Sequence, residues 1–107
     1  MSEGGAPEAD RRRIVGRWVH VREEDSGGSR VFRPGDHPLP PSRGRRSYSF
    51  RSDGTLEERV PGPVDAPVTR RGRWSIGADG ILVLFLEGKE SRWRIDLADP
   101  QRLLMRG

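Results

Sequence analysis

The chain has 107 residues, 32% of them hydrophobic and 34% charged, with no cysteine and a formal net charge of +4. That length accommodates one domain around one small core, and the lack of cysteine excludes a disulfide framework, a thiolate metal site and a cysteine nucleophile. The longest apolar run, ILVLFL at 81–86, falls well short of the roughly 18–20 residues that a membrane-spanning helix needs, so no membrane role is expected.

Residues 1–11, rich in Gly, Ala, Pro and acid, read as a disordered tail ahead of a single domain at 12–107. The opening MSEGGAPEADRRR has no apolar signal core, and a cytoplasmic protein is the expectation. Lys89 is the only lysine, so the positive charge is almost all arginine. Codon usage in a GC-rich genome accounts for this more simply than phosphate binding does. No RNA-binding aromatic motif, helix-turn-helix pattern or zinc spacing is present, and a nucleic-acid partner is not expected.

From about residue 13 the apolar pattern has period two, with turn residues at short intervals and no helical stripe, which predicts an all-β protein. Eight strands are read in order: about 13–22 (RIVGRWVHVR), 29–33 (SRVFR), 45–51 (RRSYSFR), 55–60 (TLEERV), 68–76 (VTRRGRWSI), 81–87 (ILVLFLE), 91–97 and 102–106. Asp53-Gly54 and Asp79-Gly80 are hairpin signals. Eight short antiparallel strands joined in order close into an up-and-down β-barrel, which removes the unpaired edges.

Keeping apolar residues on one face sets the register. Phe50 then lies opposite Leu56 and Tyr48 opposite Glu58; Leu56 faces Gly72, Glu58 faces Arg70, and Val60 faces Val68. Continuing, Gly72 faces Phe85 and Trp74 faces Val83, with Trp93 and Ile95 beyond. Phe50, Leu56, Phe85 and Trp93 form an apolar interior layer in which Gly72 makes room for the rings. The adjoining layer holds Tyr48, Glu58 and Arg70, a polar row on the inward parity. A buried charge needs a partner, and Glu58 opposite Arg70 supplies a pair that would plug one barrel end.

In an up-and-down barrel, alternate connections share an end. The proline-rich loop at 34–44, PGPVDAP at 61–67, the Gly88 turn and both termini would line one rim. That rim would gather Arg11, Arg12, Arg13, Arg43, Arg45, Arg46, Lys89 and Arg106, a basic mouth. Glu23, Glu24, Asp25, Asp53, Asp79 and Asp99 would gather at the other.

GRWVHV in the first strand, YSFRSDGTL in the middle, GRWSI before an Asp-Gly turn and the closing IDLADPQRLLMR resemble bacterial lipocalin-like domains of the calycin type, over residues 14–106. Gly16-Arg17-Trp18 and Phe50-Arg51-Ser52-Asp53-Gly54-Thr55 match the two short motifs. The resemblance implies an antiparallel barrel whose interior or mouth holds a small apolar molecule, with Trp18 packing across one barrel end.

Three functions follow. The first is binding of a small amphipathic or anionic ligand at the basic mouth, with Arg70, Tyr48 and Glu58 at the polar head, Phe50, Phe85 and Trp93 beneath, and Arg43, Arg45 and Leu39 as a lid. The second is a protein-interaction or inhibitor module that offers its loop rim to an acidic protein partner. The third is an isomerase or cyclase in which Glu58, with Tyr48 or His20, moves a proton. His20 and His37 fall at opposite ends, and a metal site would need three or four converging ligands, so neither metal nor cofactor is expected.

Overall fold

The computed structural model describes residues 6–39, 44–61 and 67–107, the side chains of residues 6–8 excepted. It is a closed, eight-stranded, antiparallel β-barrel. The strands are β1 (Gly16–His20), β2 (Arg30–Pro34), β3 (Ser47–Phe50), β4 (Thr55–Val60), β5 (Val68–Ile76), β6 (Ile81–Leu86), β7 (Lys89–Asp99) and β8 (Arg102–Arg106). A helix, α1 (Ala6–Ile14), precedes them.

Strands β3 to β8 neighbour one another in chain order, but β1 lies between β2 and β3, and β2 closes the barrel against β8. Alternation assigns faces, not neighbours, so this departure from a plain up-and-down order is invisible in the sequence. β2 and β3 are both antiparallel to β1 and hence parallel to each other. The connection between them must travel the length of β1. It leaves where Gly35 N donates to Arg17 O (2.9 Å) and arrives where Arg46 O accepts from His20 N (2.8 Å). Val19, on the outward parity of β1, is only 7% exposed.

This order redistributes the loops. The turn at 21–29, residues 44–46, Pro61 and the Gly88 turn lie at the upper end, where β1 finishes. Helix α1, Gly35 and the connections after β3, β5 and β7 lie at the lower end. The expected rims therefore form only in part: Arg45, Arg46, Lys89 and Arg106 share the upper end and Asp53, Asp79 and Asp99 the lower, but the acidic turn joins the upper end and Arg11 to Arg13 the lower. The acidic EED stretch sits beside the basic residues before β3: Arg45 clamps Glu23 with two bonds (2.8 and 2.9 Å) and Arg33 reaches Glu24 (2.9 Å). Arg11 lies at the opposite end among the hairpins, donating to Ser52 O (3.0 Å).

Residues 6–14 are helical, where a disordered tail running into the first strand was expected. Pro7 near the helix start and Arg11, Arg12 and Arg13 in its last turn suit the helix geometry and dipole. The helix also closes the barrel floor. Ile14 is fully buried, Trp18 Nε1 donates to its carbonyl (2.9 Å), and the Arg11 guanidinium stacks on Trp74 at 4.4 Å.

The β3–β4–β5 register is as the alternation predicts, with Phe50↔Leu56↔Gly72 and Tyr48↔Glu58↔Arg70. The β5–β6 register differs by one residue. Gly77 N donates to Ile81 O (3.1 Å) and Gly80 takes φ 80°, a three-residue loop that pairs Gly72 with Leu86 and Trp74 with Leu84. Leu82, Leu84 and Leu86 therefore face inward, and Phe85 faces solvent at 46% exposure. Gly72 makes room for backbone rather than for rings: a Cβ there would run into the Phe85 carbonyl of the next strand.

An aromatic column fills the barrel. From the upper end, ring centroids step from His20 to Phe32 (5.1 Å), Tyr48 (5.7 Å), Phe50 (5.8 Å) and Trp74 (5.4 Å). Leu56, Leu82, Leu84, Leu103 and Met105 pack around it, all buried. Each aromatic buries on the order of 150–250 Å², which is how a core this small is held together.

Candidate functional site

Inward parity continues past the apolar core to the upper end, where it places polar side chains. Arg46 lies two residues before Tyr48, Arg30 two before Phe32, and Arg70 two before Gly72. Arg46 and Arg70 reach Glu58, and Arg30 lies over Trp93 at the same mouth.

Glu58 is the anchor, with its side chain only 6% exposed. Its Oε2 lies 3.5 Å from Arg46 Nε and its Oε1 lies 3.7 Å from Arg70 Nη1. The two arginine side chains are 41% and 48% exposed and cover the carboxylate, with Arg46 Nε itself buried and without a hydrogen-bond partner among the described residues. Tyr48 sits beneath, paired with Glu58 across β3 and β4. Burial first, then the neighbouring Glu58 charge, pushes the Tyr48 pKa up to about 12, while Arg46 and Arg30 pull the other way. Tyr48 is thus a neutral hydrogen-bond donor at physiological pH. Glu58 thus sits between two arginines that neutralise it.

Beside this row opens a cleft of ≈ 390 Å³ whose lining includes His20, Arg22, Asp25, Arg30, Arg45 and Arg46. Asp25 organises one wall, accepting from Val31 N (2.9 Å) and lying 3.0 Å from His20 Nε2. Arg45 forms the other wall, fixed by its bidentate pair with Glu23, and this pair holds the Glu23 carboxyl down at about 2. Arg30 lies over the Trp93 ring at 5.0 Å. Among the described residues neither Arg22 nor Arg30 forms an ion pair, and the cleft carries a surplus of positive charge.

Tyr48, Glu58 and Arg70 thus stand together, Trp93 flanks them, and Arg45 lines the adjoining cleft. Phe50 lies lower in the filled core, between Tyr48 and Trp74. Phe85 is on the outer surface, because the three-residue loop shifts β6 by one. Leu39 is half-buried and is not among the residues lining the cleft. Arg43 lies outside the described residues, and with it the middle of the expected lid. His20 reaches the mouth and His37 the lower end, where His37 N donates to Pro34 O (2.9 Å). No cluster of metal-ligating side chains occurs among the described residues.

Sequence reasoning missed Arg30, Arg22 and Asp25 as lining residues and counted Arg46 only as a rim charge. The parity of Phe32 and Tyr48 carried the signal for Arg30 and Arg46. Arg22 and Asp25 carried none, because the 21–29 turn was assigned to the wrong end.

No protein-family model matches the chain, and searches of curated proteins and of solved structures found no match either. What the geometry defines, among the described residues, is a floor-sealed, side-chain-filled barrel with an organised polar feature at its arginine-lined upper mouth.

Proposed function

We propose that this protein binds a small organic anion at the upper mouth of its barrel. The carrying observation is that two inward-parity arginines, Arg46 and Arg70, share one buried carboxylate, Glu58, while Arg30 lies over Trp93 at the same mouth with no ion pair among the described residues. A carboxylate or phosphate head would complete their coordination, each charge-assisted bond being worth about 1.5–3 kcal/mol. Trp93 and Leu86, partly buried on the inward face beside them, supply apolar surface for the rest of the molecule. The resemblance of GRW and FRSDGT to lipocalin-like motifs supports a ligand at the mouth. The aromatic column leaves the interior to side chains, so the reading is of binding at the rim, without a storage cavity.

Titration with the anionic aromatic dye anilinonaphthalene sulfonate, displaced by laurate or by inorganic phosphate, tests this. Saturable binding is expected, weakened about tenfold by Arg70→Gln or Arg30→Gln, as befits loss of one charge-assisted bond. Binding that is equally tight in Arg70→Gln, or equally tight for an uncharged analogue of the dye, refutes it.

A further inference from the structure

The outer face of β5–β6–β7 is a second feature, independent of the mouth. Because the β5–β6 register brings the even-numbered leucines inside, β6 presents Ile81, Val83 and Phe85 outward in a row. Phe85 is among the large apolar side chains most exposed to solvent. Arginines flank this strip on both sides, with Glu90 opposite Phe85 at one end of β7. Arg73 pairs with Phe85 across β5, and Arg92 and Arg94 pair with Val83 and Ile81 across β7. Arg71 is 81% and Arg92 70% exposed; each has a glutamate partner, Glu57 and Glu90, at 3.1 and 3.0 Å. Arg73 and Arg94 form no ion pair among the described residues.

We infer that this face is a docking surface for an acidic amphipathic helix of a partner protein. A closed barrel has no free edge, so strand addition is unavailable and a partner must lie on the face. The strip from Ile81 to Phe85 runs about 13 Å, enough for the apolar residues i, i+4 and i+7 of a helix, which span about 10 Å. The flanking strands lie about 4.8 Å to either side. Their unpaired guanidinium groups therefore meet the positions beside a helix's apolar stripe, and carboxylates there would complete the charge match. A single-stranded nucleic acid fits less well. Successive bases call for successive aromatic platforms, whereas Phe85 is followed along the strip by aliphatic Val83 and Ile81.

The test uses the full chain and a fluorescein-labelled synthetic helical peptide of leucines at i, i+4 and i+7 flanked by glutamates. Fluorescence anisotropy compares it with a scrambled peptide of identical composition and with oligo(dT). Binding of the patterned peptide is expected, at least about tenfold weaker for the scrambled one and for Phe85→Ser or Arg73→Glu/Arg94→Glu, which remove the most exposed anchor of the strip or its charged flanks. Arg46→Gln at the mouth should leave it unchanged, and thermal melts report whether each variant stays folded. Equal binding of the scrambled peptide, tighter binding of oligo(dT), or no loss in a folded Phe85→Ser overturns the inference.

Discussion

Gly72→Ala isolates a single close approach between strands. Gly72 has an ordinary backbone conformation, so alanine brings no φ penalty. Its Cβ would nevertheless overlap the Phe85 carbonyl oxygen, lying 2.8 Å from the Phe85 carbonyl carbon and 3.0 Å from Leu86 Cα. Comfortable carbon contacts begin at about 3.5 Å, so β6 must withdraw by roughly 0.5–0.7 Å or more at these atoms. The obstacle is backbone within a hydrogen-bonded ladder, which cannot swing aside as a side chain can. A cost near the top of the usual 1–3 kcal/mol overpacking range follows, about 3 kcal/mol. The stiffer unfolded chain returns about 0.4–1 kcal/mol, leaving a net loss of about 2–3 kcal/mol. For a domain of this size that lowers Tm by roughly 8–20 °C. Thermal and urea denaturation followed by tryptophan fluorescence measures it. Gly88→Ala is the reference: Gly88 has φ 83° and nothing within 4 Å of its would-be Cβ, so it carries only the left-handed penalty of about 1–2 kcal/mol. A Gly72→Ala melt within about 2 °C of the parent, or a smaller loss than in Gly88→Ala, refutes the close-packing argument.

Ile14→Ala should cost about 2–5 kcal/mol in urea unfolding, since Ile14 is fully buried at the barrel floor; a loss under about 0.5 kcal/mol would return residues 6–14 to the status of a tail. Tyr48 is the only tyrosine, so tyrosinate absorbance titrates it directly. Its folded pKa, about 12, lies above the ordinary 10.0, so the associated stability is whole below pH 10 and declines as pH rises from 10 towards 12; a midpoint near 10 in the folded protein contradicts the buried mouth. The Glu23 carboxyl, held at about 2 against an ordinary 4.5, makes its contribution above pH 4.5 and loses it as pH falls through about 2. Carboxyl-carbon NMR should find that midpoint in the parent and a near-ordinary one in Arg45→Gln, and an ordinary value in both would refute the bidentate clamp.

The hairpin between β3 and β4 was legible because Asp53-Gly54 sits between segments whose apolar residues strictly alternate. The same alternation carried the register on to Gly72 and Arg70, and with it the Tyr48, Glu58 and Arg70 row. It failed at ILVLFL, where every residue is apolar and either parity is equally hydrophobic. There the loop length decided, and Phe85 went outside. The helix carried only Pro7 at its start and basic residues in its last turn, signals too short to outweigh a polar, flexible composition.

The all-β class, the eight strands and the inward parity of most of them could be read from the residues alone, because side-chain alternation is a local property of the backbone. It also placed a buried glutamate beside a tyrosine and an arginine. Which strands are neighbours became visible only in the folded barrel. Placing β1 between β2 and β3 sends the chain along the full length of the barrel between Pro34 and Ser47, and so moves the acidic turn to the arginine end. The mouth is lined by Arg22, Arg30 and Arg46 with Asp25 because of that one non-local choice. Strand neighbours are selected by closure of the whole barrel, a condition that no single segment encodes.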